Sequence, residues 1–95
     1  MWHLKNKIAM NWNISDFITI VELMIKTACK EDLTDLCDVH SELKGLKKHS
    51  NDADKRKDYA KGAISMIAYV LSNAKGLTYG EKCLLEKIAV YLNCI

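Results

Sequence analysis

Cys37 and His40 stand three apart on a segment with helical periodicity, and Cys83 and Cys94 lie on another, so the first chemistry the chain invites is a mixed thiolate–imidazole zinc site. The spacing argues against it. Structural zinc is usually held by two close ligand pairs such as Cys-x2-Cys, whereas Cys83 and Cys94 would be roughly 16 Å apart along a helix. No metal and no cofactor are expected. The remaining histidines, His3 and His49, fall in the N-terminal arm and at a loop edge, and no serine or cysteine occupies a nucleophile turn. The isolated glycines at 45, 62, 76 and 80 form no phosphate cradle. Glu31, Asp35, Asp38 and Glu42 make an acidic ridge, most simply a solvated helix face and secondarily a dock for a basic partner. With no catalytic set and no evident small-molecule site, the chain is expected not to be an enzyme.

The elements that would position these residues are helices. Proline is absent and glycine is rare in 95 residues that are 49% hydrophobic, enough for one domain burying roughly 60–65% of its unfolded surface. Phe17, Ile20, Val21, Met24, Ile25, Ala28 and Cys29 recur at helical steps behind Ser15 as N-cap, which predicts a first helix over Asp16 to Cys29. Ile18 and Leu23 widen its apolar face, as in a central helix with two neighbours. A second helix, from Asp32 or Thr34, carries the stripe Leu36, Val39, Leu43 and Leu46, with acids before it and Lys44, Lys47 and Lys48 after it, an order that complements the helix dipole. The polar stretch from His49 to Asp54 ends in an aspartate cap. A third helix follows over Lys55 to Ala74, facing inward with Tyr59, Ala60, Ala63, Ile64, Ile67, Val70, Leu71 and Ala74; small residues at 60, 63, 68 and 74 let a neighbour come close. Gly76 is placed to end it in the left-handed conformation, and Thr78 with Glu81 forms a capping box that starts the fourth, over Tyr79 to Asn93, burying Leu84, Leu85, Ile88, Leu92 and Ile95. Short connections between such helices predict an all-α, antiparallel four-helix bundle over residues 15–95, preceded by an arm over residues 1–14.

In the arm, Trp2, Leu4, Ile8, Met10, Trp12 and Ile14 alternate with polar residues as in a strand, while Leu4, Ile8 and Trp12 are also four apart as on a helix. Its tryptophans beside Lys5 and Lys7 would suit the edge of a membrane. The apolar run Ile8-Ala9-Met10 stops at Asn11, which is too short for a signal peptide, and the ten-residue run from Gly62 to Leu71 is half a bilayer span. A cytoplasmic protein is expected. Its four cysteines are expected to be buried free thiols. The net charge of +2 is small, but half of the basic residues fall between Lys44 and Lys61, diluted by Asp52, Asp54 and Asp58.

The block from Tyr59 to Leu92, with its long helix, the Leu77-Thr78 turn and a last helix bearing Leu84, Leu85, Ile88 and Leu92, resembles the second half of the immunity proteins that protect lactic-acid bacteria from pediocin-like bacteriocins. The resemblance implies a non-enzymatic four-helix bundle at the inner membrane face, shielding a sugar-transport permease that a bacteriocin has seized, with the third and fourth helices as contact surface. The partner-binding candidates are then Trp2, Trp12, Lys75, Tyr79, Lys82 and Tyr91. The turn Lys75-Gly76-Leu77-Thr78 is also similar to turns of tellurite-resistance-type domains, but Lys75 replaces their usual acid and no metal site is implied. Two alternatives stay open: a dimeric DNA-binding regulator using the basic arm as ribbon-helix-helix repressors do, and a small phage or mobile-element inhibitor of a host protein.

Overall fold

A computed structural model describes residues 13–95, and these form four helices: α1 (Ile14–Thr27), α2 (Lys30–Lys48), α3 (Ala53–Asn73) and α4 (Tyr79–Asn93). Trp2, Trp12 and the strand-or-helix question in residues 1–12 lie outside the described residues. No strand occurs among the described ones. Each helix packs closely on its neighbours in sequence, α1 on α2, α2 on α3 and α3 on α4, which makes an antiparallel up-and-down bundle.

Capping fixes where the helices begin. Asn13, not Ser15, caps α1: its side chain accepts from the Asp16 amide at 3.0 Å while the Asp16 carboxylate accepts from the Asn13 amide at 3.3 Å. The helix therefore starts at Ile14, inside the expected arm, and it ends at Thr27. A reciprocal box opens α4 as expected, with Thr78 accepting from the Glu81 amide and Glu81 from the Thr78 amide. Asp52 caps α3 by accepting from the amides of Asp54 and Lys55, so that helix begins at Ala53 rather than Lys55. α2 begins at Lys30, earlier than its apolar stripe, because only two extended residues, Ala28 and Cys29, separate it from α1.

The core is one cluster built from Phe17, Val21 and Met24 of α1, Leu36, Val39, Leu43 and Leu46 of α2, Ala60, Ala63, Ile67 and Val70 of α3, and Leu85, Ile88 and Leu92 of α4. α2 and α3 are its centre, and α1 is peripheral, contrary to the expectation from its wide apolar face. Small residues bring the central pair together: Gly45 lies against the Tyr59 ring, which also stacks on His49 at 5.5 Å, and Gly62 lies against the Glu42 carboxyl. Ala60 and Ala63 are buried as expected, whereas Ala68 and Ile95 are exposed.

Gly76 departs from expectation in an instructive way. No glycine among the described residues has a positive φ, so Gly76 does not end α3 by turning left-handed. It is needed for close approach, because a Cβ there would meet Cys29 Sγ at 3.0 Å and Cys29 Cβ at 3.4 Å.

Candidate functional site

Two features of the molecule are more than a packed core: a tether at one end of the bundle and an apolar groove beside it. The tether is Asp32. It sits in the first turn of α2, only 3% exposed, and is the one charged residue buried among those described. Its carboxylate accepts from the backbone amides of Lys75 and Gly76, each at 2.8 Å, and from the Cys29 thiol at 3.2 Å. In an ordinary capping box an acid at this position reaches back to its own N-cap; here it reaches across to the α3–α4 turn. The amide bonds, first Lys75 and then Gly76, hold the Asp32 carboxyl below the usual carboxylate range. The same contact pushes the Cys29 thiol up, because the carboxylate both takes the thiol proton in a hydrogen bond and repels a thiolate. These are structural bonds in which every partner is occupied.

The cysteines are free but not buried, as had been expected of them: Cys29 and Cys83 are half-buried, Cys37 and Cys94 exposed. The Cys83 thiol also raises the Tyr79 phenol above its ordinary range through a hydrogen bond. Thiolate fraction and access set thiol reactivity. In native protein at mildly alkaline pH, a chromogenic disulfide reagent should therefore label Cys37 and Cys94 first and Cys29 last. Mass spectrometry of partly labelled chains reads that order.

His40, once paired with Cys37 as a possible ligand, instead bonds Glu22 of α1 through Nε2 at 2.9 Å. Among the described residues no three His, Cys, Asp or Glu side chains converge in a way that could hold a metal ion.

The groove lies between α1 and α4. Counting round α1 at 100° per residue, Ile14, Ile18 and Ile25 fall on one flank of the buried row, and Ile20, Leu23 and Thr27 on the other. The second flank opens onto a trough of about 390 Å³ lined by Ile20, Leu23, Met24, Lys26 and Thr27 of α1 with Glu81 and Leu84 of α4. α1 and α4 meet toward the opposite end, where Phe17 and Tyr91 make an edge-to-face contact with centroids 5.0 Å apart. Leu23, expected to add to the packed face, is 58% exposed on the rim of the trough. The lining is almost wholly apolar and lacks the convergent polar groups of a small-molecule pocket.

Of the expected partner residues, the four that are described, Lys75, Tyr79, Lys82 and Tyr91, do not share one face. Tyr79 is 83% exposed and shares the solvent face of α4 with Cys83, Val90 and Cys94, away from the trough. Lys75 is exposed and engaged through its backbone; Lys82 is half-buried; Tyr91 is half-buried against Phe17. The trough residues Ile20, Leu23 and Leu84 were missed as a site because each also fits a helical core stripe. No helix among the described residues is long and apolar enough to cross a membrane. Compared with protein-family models, with curated proteins and with solved structures, the chain shows no match.

Proposed function

We propose that this protein is a non-enzymatic interaction module of the bacteriocin-immunity kind, acting in the cytoplasm at the inner membrane face, and that its docking surface is the trough between α1 and α4. One observation carries the proposal: an open apolar trough flanked by Lys26 and Glu81, with a large aliphatic residue, Leu23, left more than half exposed. A trough of this kind suits the apolar face of an amphipathic helix, whose own charges would meet the lysine on one rim and the glutamate on the other. In the immunity role that helix belongs to a permease complex, and the bundle shields the complex once a bacteriocin has seized it. The test is expression of the chain in strains sensitive to pediocin-like bacteriocins. Protection against at least one toxin of a panel is expected, and sensitivity to every toxin tried would overturn the proposal.

A further inference from the structure

α4 buries Leu85, Ile88 and Leu92 in the bundle and turns its opposite face to solvent. Counting at about 100° per residue, Tyr79, Cys83, Glu86, Lys87, Val90 and Cys94 fall on one strip about 100° wide, centred opposite that buried row. They recur at steps of three and four, the spacing of a seam between two packed helices. Tyr79, 83% exposed, and Val90, 67% exposed, are the two most exposed large hydrophobic side chains among the described residues. Glu86, Lys87 and Cys94 are exposed beside them, and Cys83 is half-buried.

The order of these residues is symmetric. The point midway between Glu86 and Lys87 is also midway between Cys83 and Val90, and again midway between Tyr79 and Cys94. Two α4 helices laid antiparallel about a two-fold axis through that point would set Glu86 of each chain against Lys87 of the other. Cys83 would meet Val90, and Tyr79 would meet Cys94. Opposite charges then face each other twice at the centre, flanked by a thiol on an aliphatic side chain and by sulfur on an aromatic ring. Neither Glu86 nor Lys87 is in an ion pair among the described residues, so both charges are available. A face made for a foreign partner has no need of mirror order, whereas an isologous interface requires it.

We infer that the solvent face of α4 pairs with the same face of a second copy of this chain, giving an antiparallel, non-covalent homodimer. Glu81 and Leu84, the α4 residues of the trough, fall outside the strip, so pairing leaves the trough of each chain open. The dimer and the trough therefore succeed or fail separately. One helix face per chain is a small interface, so association is weak and the face, Cys94 included, is open at high dilution.

Sedimentation equilibrium of the full chain in reducing buffer, from micromolar to millimolar protein, should show monomer passing into dimer. Glu86→Lys or Lys87→Glu alone sets like charges together at the axis and should raise the dimer dissociation constant at least about tenfold. The two changes combined restore opposite pairs across the axis and should bring it back near the wild-type value. Circular dichroism checks that helix content is kept in all three. Disulfide trapping reads the register independently of charge. In a chain carrying Cys37→Ser and Cys94→Ser, adding Val90→Cys sets a thiol opposite Cys83 of the other copy. Diamide, which takes up the two thiol hydrogens as the disulfide forms, should then yield covalent dimers, and Asp38→Cys in the same background should yield far fewer. The inference is overturned by a monomer at every concentration, or by single variants that associate as well as wild type. It is equally overturned by a double variant no tighter than the singles, or by equal trapping through positions 90 and 38.

Discussion

Replacing Asp32 by asparagine is expected to lower the thermal midpoint by about 10 °C, a large effect for one atom exchanged. The amide can offer only one acceptor oxygen where the carboxylate offered two, and its NH2 group would face the amides of Lys75 and Gly76, which are donors themselves. One part-buried N–H then loses its partner, and the α3–α4 turn loses its fastening to the start of α2. The pH dependence has a definite sign. Asp32 titrates below the ordinary carboxylate range in the folded chain, so its contribution is complete above about pH 4 and is lost as pH falls toward the lowered native value. Melting curves of wild type and Asp32→Asn, followed by circular dichroism from neutral to acid pH, should differ most at neutrality and converge in acid. A constant gap across that range would mean that the carboxylate charge is not what holds the turn.

Phe17→Ala should cost about 3–5 kcal/mol, the usual range for deleting a fully buried phenylalanine. Phe17 is completely buried and makes the edge contact with Tyr91 that brings α1 against α4. A domain of this size has about 5–15 kcal/mol in all, so the variant should sit near the edge of folding at 37 °C. Leu23, six residues further along the same helix, should behave oppositely. Leu23→Lys removes little buried surface and should change the urea midpoint only slightly, within about 0.5 kcal/mol. The contrast separates the part of α1 that holds the bundle from the part that faces outward.

Much of the fold was legible in the sequence because the signals were local and repeated. The stripe of Leu36, Val39, Leu43 and Leu46 and the Thr78–Glu81 box each state a helix face or a helix start within a few residues, and both appear in the structure. What escaped was decided by contacts between segments far apart in sequence. Gly76 looks like a helix terminator, and only its approach to Cys29 shows that it is there for want of a side chain. Asp32 read as a dipole partner because it is acidic and near a helix start. Yet it lies four residues before Leu36 and seven before Val39, in phase with the buried stripe, and an acid at that phase was the available sign of a buried polar bond. The trough was illegible for a different reason. Ile20, Leu23 and Leu84 carry the periodicity of core residues, and which of them meets a neighbour depends on how closely α1 and α4 approach.

The central claim is that the α1–α4 trough is where the partner sits. It is tested most directly by comparing wild type with Leu23→Lys in one bacteriocin-protection assay, at matched expression and with matched melting temperatures. Protection by the wild type that disappears in Leu23→Lys, with the fold intact, is the result this structure predicts; equal protection by both proteins would contradict it.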